Sequence, residues 1–284
     1  MENLSDYSDL SPDTVLDAVE SVGMEVTGTQ IALNSFENRV VQVGTYDQGF
    51  VVAKFYRAHR WSDDAIGEEH AFAEHLIDHE IPIVGPLKID GSTLFRHKGF
   101  RFALFPRRGG REPNLESEDN LAWFGRMLGR MHAAANAFRF EHRQVLLDVQ
   151  RVERAAWLIA ERDFLPSHLE SDYTQVCREL LEGIGQKFSL RPYTHPVHGD
   201  CHRGNVLWTD EGPHMVDLDD TVTGPAVADL WMLMDGDPDT RSRQLEVLLE
   251  GYEQFFDFDH AQLALIPALP VSYTHLTLPT ILRV

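Results

Sequence analysis

Three oxygen-bearing side chains in the C-terminal half of the chain have the spacing of a metal-assisted reaction centre. Asn205 immediately precedes, and Asp217 immediately follows, a segment in which the apolar runs 206–208 and 214–216 flank a cluster of turn formers. This is the pattern of a β-hairpin, which would bring both residues to its open end. An amide oxygen and a carboxylate there suit a hard divalent cation such as Mg²⁺. Asp200 lies on the entering loop and suits a base that orients an attacking hydroxyl group and accepts its proton.

Other interpretations of these residues are less specific. Any one of the acids alone would suit a solvated surface loop, whereas the ordered set of acid, amide, hairpin and acid is much more restrictive. The chain has 14 histidines but no HExxH motif and no paired Cys/His spacing, so a zinc site is not predicted. Cys201, beside Asp200, would be a reactive thiol only if its pKa were lowered, and we expect a packed thiol.

Lys54 is the candidate cation for bound phosphate groups. It lies in the apolar run FVVAKF, where its charge would be partly desolvated unless it is paired. The partner should be an acid on the following helix, where Glu68 and Glu69 are adjacent. Glu69 shares the apolar helix face of Ile66 and Phe72, so we predict Glu69 and keep Glu68 as the alternative. The simpler interpretation is a lysine that reaches solvent and a solvated Glu69.

The loop between the first two predicted strands contains a serine that could contact a bound ligand. It reads LNSFENRV over residues 33–40 and contains no GxGxxG motif. Ser35 and neighbouring backbone N–H groups could contact phosphate, and ordinary turn chemistry explains the same residues equally well.

The predicted elements fall into a β-rich first third and a helical remainder. The first third contains an opening helix capped by Ser11, three strands in an antiparallel meander, a helix that starts after Ser62 and a later strand pair around the Asp90-Gly91 turn. The strands are predicted at 27–34, 39–44, 50–57, 85–90 and 99–105, and the later helices at 120–135, 151–160 and 171–190.

This distribution predicts an α+β fold with two lobes. We expect a β-rich lobe at 1–105, a connector at 106–113 and a helical lobe that includes the hairpin at 114–270. Residues 271–284 are expected to be a non-native tail, because VSYTHL resembles a translated sequencing adapter and follows no plausible cap. The natural sequence would then continue differently beyond about Leu269.

Composition and charge exclude several classes of protein. With 25% charged and 43% hydrophobic residues, the chain is typical of a folded, water-soluble protein. Its net charge of −20 would repel phosphate backbones and anionic lipid, so no nucleic-acid or membrane partner is expected. Two cysteines and a start without a signal peptide favour the cytoplasm.

The motif HGDxxxxN, followed by a strand that ends in an aspartate, resembles the protein-kinase-like superfamily in its branch of aminoglycoside and choline phosphotransferases. The resemblance implies a two-lobed kinase-like fold, with Asp200 as the catalytic base, Asn205 as a Mg²⁺ ligand and Asp217 as the catalytic, metal-binding acid. It also implies ATP as co-substrate, bound through Ser35, Lys54 and Glu69. This chain has HGD and DLDD where eukaryotic kinases have HRD and DFG, so their activation-loop regulation is not implied.

Further segments narrow the resemblance to bacterial serine/threonine protein kinases that act in the stress response. These segments include VAKFYRAHRW, LGRMH and GPAVADLWMLM. The resemblance implies protein Ser/Thr acceptors, the kinase itself included, and we expect a monomer. It also makes Asp229 a buried acid that braces the catalytic loop, although Asp229 would equally suit a helix N-cap.

Two other functions remain open from the sequence. A small-molecule kinase acting on an aminoglycoside, choline or a homoserine-like alcohol would use the same scaffold. A nucleotide-binding pseudokinase scaffold is disfavoured because Lys54, Asp200, Asn205 and Asp217 are all present.

Overall fold

The computed structural model describes residues 7–35, 37–161, 166, 168–189 and 192–270, and the predicted tail at 271–284 lies outside them. The strands are β1 Val26–Leu33, β2 Arg39–Thr45, β3 Gly49–Tyr56, β4 Phe95–His97, β5 Phe100–Pro106, β6 His195–Val197, β7 Val206–Thr209, β8 Gly212–Met215 and β9 Val222–Gly224. The helices are α1 Pro12–Glu20, α2 Asp63–Asp78, α3 Glu118–Ala135, α4 Val149–Glu161, α5 Glu170–Phe188 and α6 Pro238–Tyr252.

The chain forms two compact units. The first comprises the described residues up to Pro113 together with Gly204–Asp219, and the second comprises Asn114–Arg203 and the described residues from Asp220 onward. The hairpin β7–β8 therefore belongs to the β-rich unit. The lobe limits expected from the sequence remain predictions. Among the described residues, no helix combines the length and apolar character needed to cross a membrane.

The first unit is built on a five-stranded antiparallel sheet with strand order β1-β2-β3-β5-β4. Side chains alternate between the two faces of a strand. On β3, Ala53 and Phe55 join the apolar core that α1 covers, and Tyr56 packs in a second cluster with Ile66 of α2. Lys54 therefore points toward the face that carries α2.

Helices α1 and α2 begin at the serine N-caps that the sequence predicts. Ser11 Oγ accepts a hydrogen bond from Thr14 N at 3.1 Å, and Ser62 Oγ accepts one from Ala65 N at 3.1 Å. Each satisfies an N–H group that the first helical turn leaves without a partner.

The prediction of a strand at 85–90 is wrong. The hairpin partner of β5 is β4, and the two-residue turn Lys98-Gly99 that joins them has positive φ at both positions, as a tight hairpin requires. Pro86 explains the error, because it lies inside the predicted strand and proline has no N–H group to donate to a strand ladder.

The second unit is mainly helical, and α3 packs closely on α6. A Cβ atom added at Gly129 would lie 2.3 Å from the carbonyl oxygen of Tyr252, so glycine is required there. The short strands β6 and β9 pair in antiparallel fashion beside this helix pair. Together the segments hold the loop that carries Asp200. The observed sheet and helical unit confirm the predicted α+β fold with a β-rich and a mainly helical lobe.

Candidate active site

Lys54 is the centre of a charged cluster in the first unit. Its side chain is buried on β3, and Nζ lies 2.9 Å from Asp217 Oδ1, 3.2 Å from Asp219 Oδ1 and 3.3 Å from Glu69 Oε1. A buried ammonium group requires such partners, because losing water without them is very unfavourable.

The carboxylates determine the charge of Lys54. Burial by itself lowers its pKa, but attraction by Asp217, Asp219 and Glu69 outweighs burial and holds the pKa well above its ordinary value. Lys54 is therefore positively charged throughout the physiological pH range and can attract an anionic ligand.

Glu69 reaches Lys54 because of its position on α2. It is only 2% exposed and follows the buried helix face of Ile66 and Phe72, whereas Glu68 is half-buried. The structure thus brings Glu69 to the lysine, as the helical periodicity predicts.

The hairpin brings Asn205 and Asp217 to adjacent positions. Its last strand pair is Val206 opposite Met215, and Val216 N donates a further hydrogen bond to Asn205 O at 3.0 Å. Asp217 has a positive φ of 61°, which is uncommon for a residue with a side chain and often marks a functional site. The Asp217 side chain is 42% exposed, so it is accessible to a ligand.

A cavity of about 450 Å³ adjoins these residues and lies entirely within the first unit. Its volume is in the range of small-ligand sites. Its lining includes aliphatic residues of the sheet and the hairpin, residues 107–110 after β5, and four predicted site residues. Residues that line it include Leu33, Ser35, Val40, Val52, Lys54, Phe105, Asn205, Leu207 and Asp217.

The donor set at the cavity fits a hard cation. Asn205 and Asp217 contribute an amide and a carboxylate, the oxygen donors that Mg²⁺ accepts. Among the described residues, no group of three or more His, Cys, Asp and Glu side chains is arranged to hold a metal ion. Mg²⁺ bound here would therefore complete its coordination shell with water or with oxygens of a ligand such as phosphate.

Asp200 lies in the second unit, on the loop after β6. Its side chain is 16% exposed, and Oδ2 is 3.5 Å from Nε2 of His202. Gly199 before it has a φ of +82°, and a Cβ atom there would meet the carbonyl oxygen of Asp220 at 2.2 Å. Only glycine fits this turn.

Asp229 holds the same loop. It is fully buried and accepts hydrogen bonds from His198 N at 2.7 Å and Gly199 N at 2.8 Å. It ends a short 3₁₀ helix, so its carboxylate pairs with the loop instead of capping the start of a helix. The arrangement matches the bracing role that the resemblance implies.

A histidine supports Asp229 from α3. His132 Nε2 lies 3.0 Å from Asp229 Oδ2, and His132 Nδ1 lies 2.8 Å from Tyr252 Oη. Burial by itself raises the pKa of Asp229, but the His132 hydrogen bond and the Gly199 N–H help to bring it below its ordinary value. Asp229 is therefore ionised and acts only as an acceptor.

Cys201 is a packed thiol. Burial, together with the charges of Asp229 and Asp200, raises its pKa well above the ordinary value. The thiolate needed for reactivity is thus disfavoured, in agreement with the expectation from the sequence.

Two residues of the cluster were not anticipated. Asp219 is 3% exposed and lies between Lys54 and Arg60, whose Nη1 is 2.7 Å from Asp219 Oδ2. Asp219 lies two residues after Asp217. This spacing places side chains on one face of an extended segment, and it could have indicated a second acid near the lysine. Arg60 had no comparable signal.

Comparisons with known proteins agree with this geometry. Residues 28–266 match the phosphotransferase enzyme family. The chain is 40% identical over 263 residues to "Stress response kinase A" of Escherichia coli (strain K12). The matched region covers 93% of this chain and 80% of that protein. It is 38% identical over 268 residues to "Serine/threonine protein kinase RdoA" of Salmonella typhimurium (strain LT2), with 94% and 81% covered.

Solved structures with a similar fold include kinases that act on small molecules. An amicoumacin kinase in complex with AMP-PNP, Ca²⁺ and Ami has a TM-score of 0.74 at 18% identity and covers 93% of this chain and 84% of its own. A microcompartment-associated aminopropanol kinase has a TM-score of 0.70 at 17% identity, with 94% and 88% covered. At these identities the likeness shows the fold alone.

Proposed function

Because the chain belongs to the phosphotransferase enzyme family, its reaction is phosphoryl transfer, and we propose that it moves the γ-phosphoryl group of ATP to a serine or threonine hydroxyl of a protein. The observation that carries the proposal is the cavity of about 450 Å³ that Ser35, Lys54, Asn205 and Asp217 line together. A phosphate-binding cation and two hard oxygen donors in one cavity are the parts that phosphoryl transfer needs.

Lys54 would bind the nucleotide phosphates. Its pKa, held well above the ordinary value by three carboxylates, supports a permanent positive charge. Ser35, on the loop after β1, also lines the cavity and would contact the phosphates. The aliphatic side chains of Val40, Val52 and Leu207 suit the flat, apolar faces of a nucleobase.

Mg²⁺ would be held by Asn205 and Asp217, and when bound it would neutralise charge that develops on the phosphate oxygens. The half-exposed Asp217 carboxylate supports this role. The positive φ of Asp217 supports a backbone shaped for function instead of for folding alone.

Asp200 would orient the acceptor hydroxyl and take its proton as the new O–P bond forms. Support comes from the loop that carries it, in which the amides of His198 and Gly199 donate hydrogen bonds to Asp229. A fixed loop matters because small displacements of a catalytic group reduce the rate strongly.

The names of two relatives bear on the class of the acceptor. The 40% identity to a protein named as a stress response kinase, and the similar relative named as a serine/threonine protein kinase, favour a protein acceptor and a place in the stress response. The net charge of −20 fits a cationic acceptor, whether that acceptor is a protein or a small molecule.

A labelling experiment tests the proposal. Purified protein is incubated with Mg²⁺ and γ-labelled ATP alone, with a generic basic protein, and with a panel of small alcohols. We expect label on serine or threonine of the kinase itself or of the basic protein, and its loss in Asp200→Asn.

Other outcomes would contradict the proposal at separate points. Rapid turnover of one small alcohol without protein labelling would show a small-molecule kinase. Nucleotide binding without any phosphotransfer would show a pseudokinase scaffold.

A further inference from the structure

Arg60 connects the loop between β1 and β2, which carries Ser35, with the end of the hairpin. It lies between β3 and α2, and its Nη1 is 2.7 Å from Asp219 Oδ2 and 3.4 Å from Glu37 Oε2. The side chain is 14% exposed, and its guanidinium group lies 5.8 Å from the centre of the Trp61 ring. These contacts place the guanidinium group between Glu37 and Asp219.

Asp219 is shared by two cations. It is 3% exposed, with Oδ1 3.2 Å from Lys54 Nζ and Oδ2 near Arg60. A buried carboxylate that loses one partner draws more strongly on the other, because its charge has little access to water. Without Arg60, therefore, Lys54 would be the main cation balancing Asp219.

Three carboxylates already surround Lys54. Its ammonium group donates hydrogen bonds to Glu69 Oε1 and Asp217 Oδ1, and Asp219 Oδ1 lies 3.2 Å from Nζ as an ion-pair partner. A phosphate that approaches Lys54 must compete with these carboxylates. The competition is weaker if another cation holds Asp219.

We propose that Arg60 is a positioning residue that neutralises Asp219 and thereby leaves Lys54 available to nucleotide phosphates. The inference rests on the phosphate-binding role proposed for Lys54. It also gives a role to the acid at position 219. Asp219 holds the ammonium group of Lys54 by charge attraction, and Arg60 weakens that attraction by pairing with the same carboxylate. Glu37 fixes Arg60 from the loop that carries Ser35.

Arg57 provides a matched control. Its Nη1 lies 3.2 Å from the same Glu37 oxygen that Arg60 contacts, and both side chains are about equally exposed, at 17% and 14%. Arg60 pairs with both Glu37 and Asp219, and Arg57 pairs with Glu37. Arg57→Gln therefore removes a similar charge from the loop while keeping the contact between Arg60 and Asp219.

The test is calorimetric binding of ATP and of adenosine in EDTA, so that no metal ion contributes. For Arg60→Gln we expect ATP affinity to fall about tenfold, equivalent to about 1.4 kcal/mol, with adenosine affinity unchanged. Arg60→Lys should recover part of the loss, and Arg57→Gln should stay within about twofold of wild type. A merely structural role would weaken ATP and adenosine alike.

Second-site variants separate the mechanism from a folding defect. Arg60→Gln combined with Asp219→Asn removes both charges, so it should fold and bind ATP more tightly than Arg60→Gln alone. Asp219→Asn alone should bind ATP at least as tightly as wild type, which remains measurable if Arg60→Gln does not fold.

Several results would overturn the inference. They are an unchanged ATP affinity in Arg60→Gln, an equal loss for adenosine, a double variant no better than the single one, or weaker ATP binding by Asp219→Asn. In each case ATP binding by wild type would leave the proposed function standing. Absence of ATP binding by wild type would overturn the proposed function and this inference together.

Discussion

Replacing Asp229 with asparagine tests whether a buried carboxylate holds the loop that carries Asp200. The wild-type side chain accepts hydrogen bonds from His198 N, Gly199 N and His132 Nε2 at 2.7, 2.8 and 3.0 Å. Asparagine has nearly the same shape but one oxygen acceptor, and its NH₂ group would face an N–H donor. The variant therefore loses both the charge and part of the hydrogen bonding.

The expected loss of stability follows from these contacts. A hydrogen bond to a charged group is worth about 1.5–3 kcal/mol, and an unsatisfied buried donor costs about 1–3 kcal/mol. We expect the free energy of unfolding of Asp229→Asn to fall by about 2–5 kcal/mol, because the variant both weakens charged hydrogen bonds and leaves one buried N–H group unsatisfied. The catalytic rate should also fall, because Asp200 loses its support.

Urea unfolding followed by circular dichroism measures the effect. Asp257→Asn is the control, because Asp257 is an exposed acid of the same unit and should change the free energy by no more than about 0.5 kcal/mol. A loss below about 1 kcal/mol in Asp229→Asn would refute the reasoning, since one full-strength charged hydrogen bond exceeds it.

The pH dependence provides a second check on Asp229. Its pKa in the folded protein is lower than the ordinary value of 3.8, so its stabilisation is complete above pH 3.8 and is lost as the pH falls through the folded-state pKa. The difference between wild type and Asp229→Asn should therefore be constant near neutral pH and shrink in acid. A difference that grows in acid would contradict the assignment.

Three further substitutions test other parts of the structure. Asp200→Asn should lower phosphotransfer by several orders of magnitude while nucleotide affinity, measured by calorimetry, stays near wild type, because the proton acceptor is lost and the shape is kept; near-normal turnover would reject Asp200 as the base. Asp217→Ala should abolish the Mg²⁺ dependence of nucleotide affinity, and an unchanged Mg²⁺ titration would place the metal elsewhere. Gly129→Ala should destabilise the protein by about 1–3 kcal/mol through overpacking, because its Cβ would lie 2.3 Å from the Tyr252 carbonyl oxygen. In contrast, Gly185→Ala, which meets nothing within 4 Å, should not lower the thermal midpoint.

Local spacing in the sequence was enough to predict much of the first unit. The hairpin brings Asn205 and Asp217 together because a two-residue turn forces its flanking residues into register. Likewise, alternation along β3 and the helical period of α2 turn Lys54 and Glu69 toward each other. These relations depend on neighbours within a few residues or on adjacent elements. The roles of these residues in binding and catalysis stay predictions.

Only the tertiary structure revealed the contacts between distant segments. His132 and Asp229 are 97 residues apart, and nothing in the LGRMH segment indicates that its histidine contacts that carboxylate. The prediction of a strand at 85–90 was wrong for a related reason. Whether that segment or β4 pairs with β5 depends on turn geometry and on which residues can donate an N–H group, and proline cannot. Arg60 and Asp219 meet only because the hairpin packs with the β-rich unit. Sequence periodicity specifies which face of an element a residue occupies, but the partner across that face is decided when separate elements pack into one core.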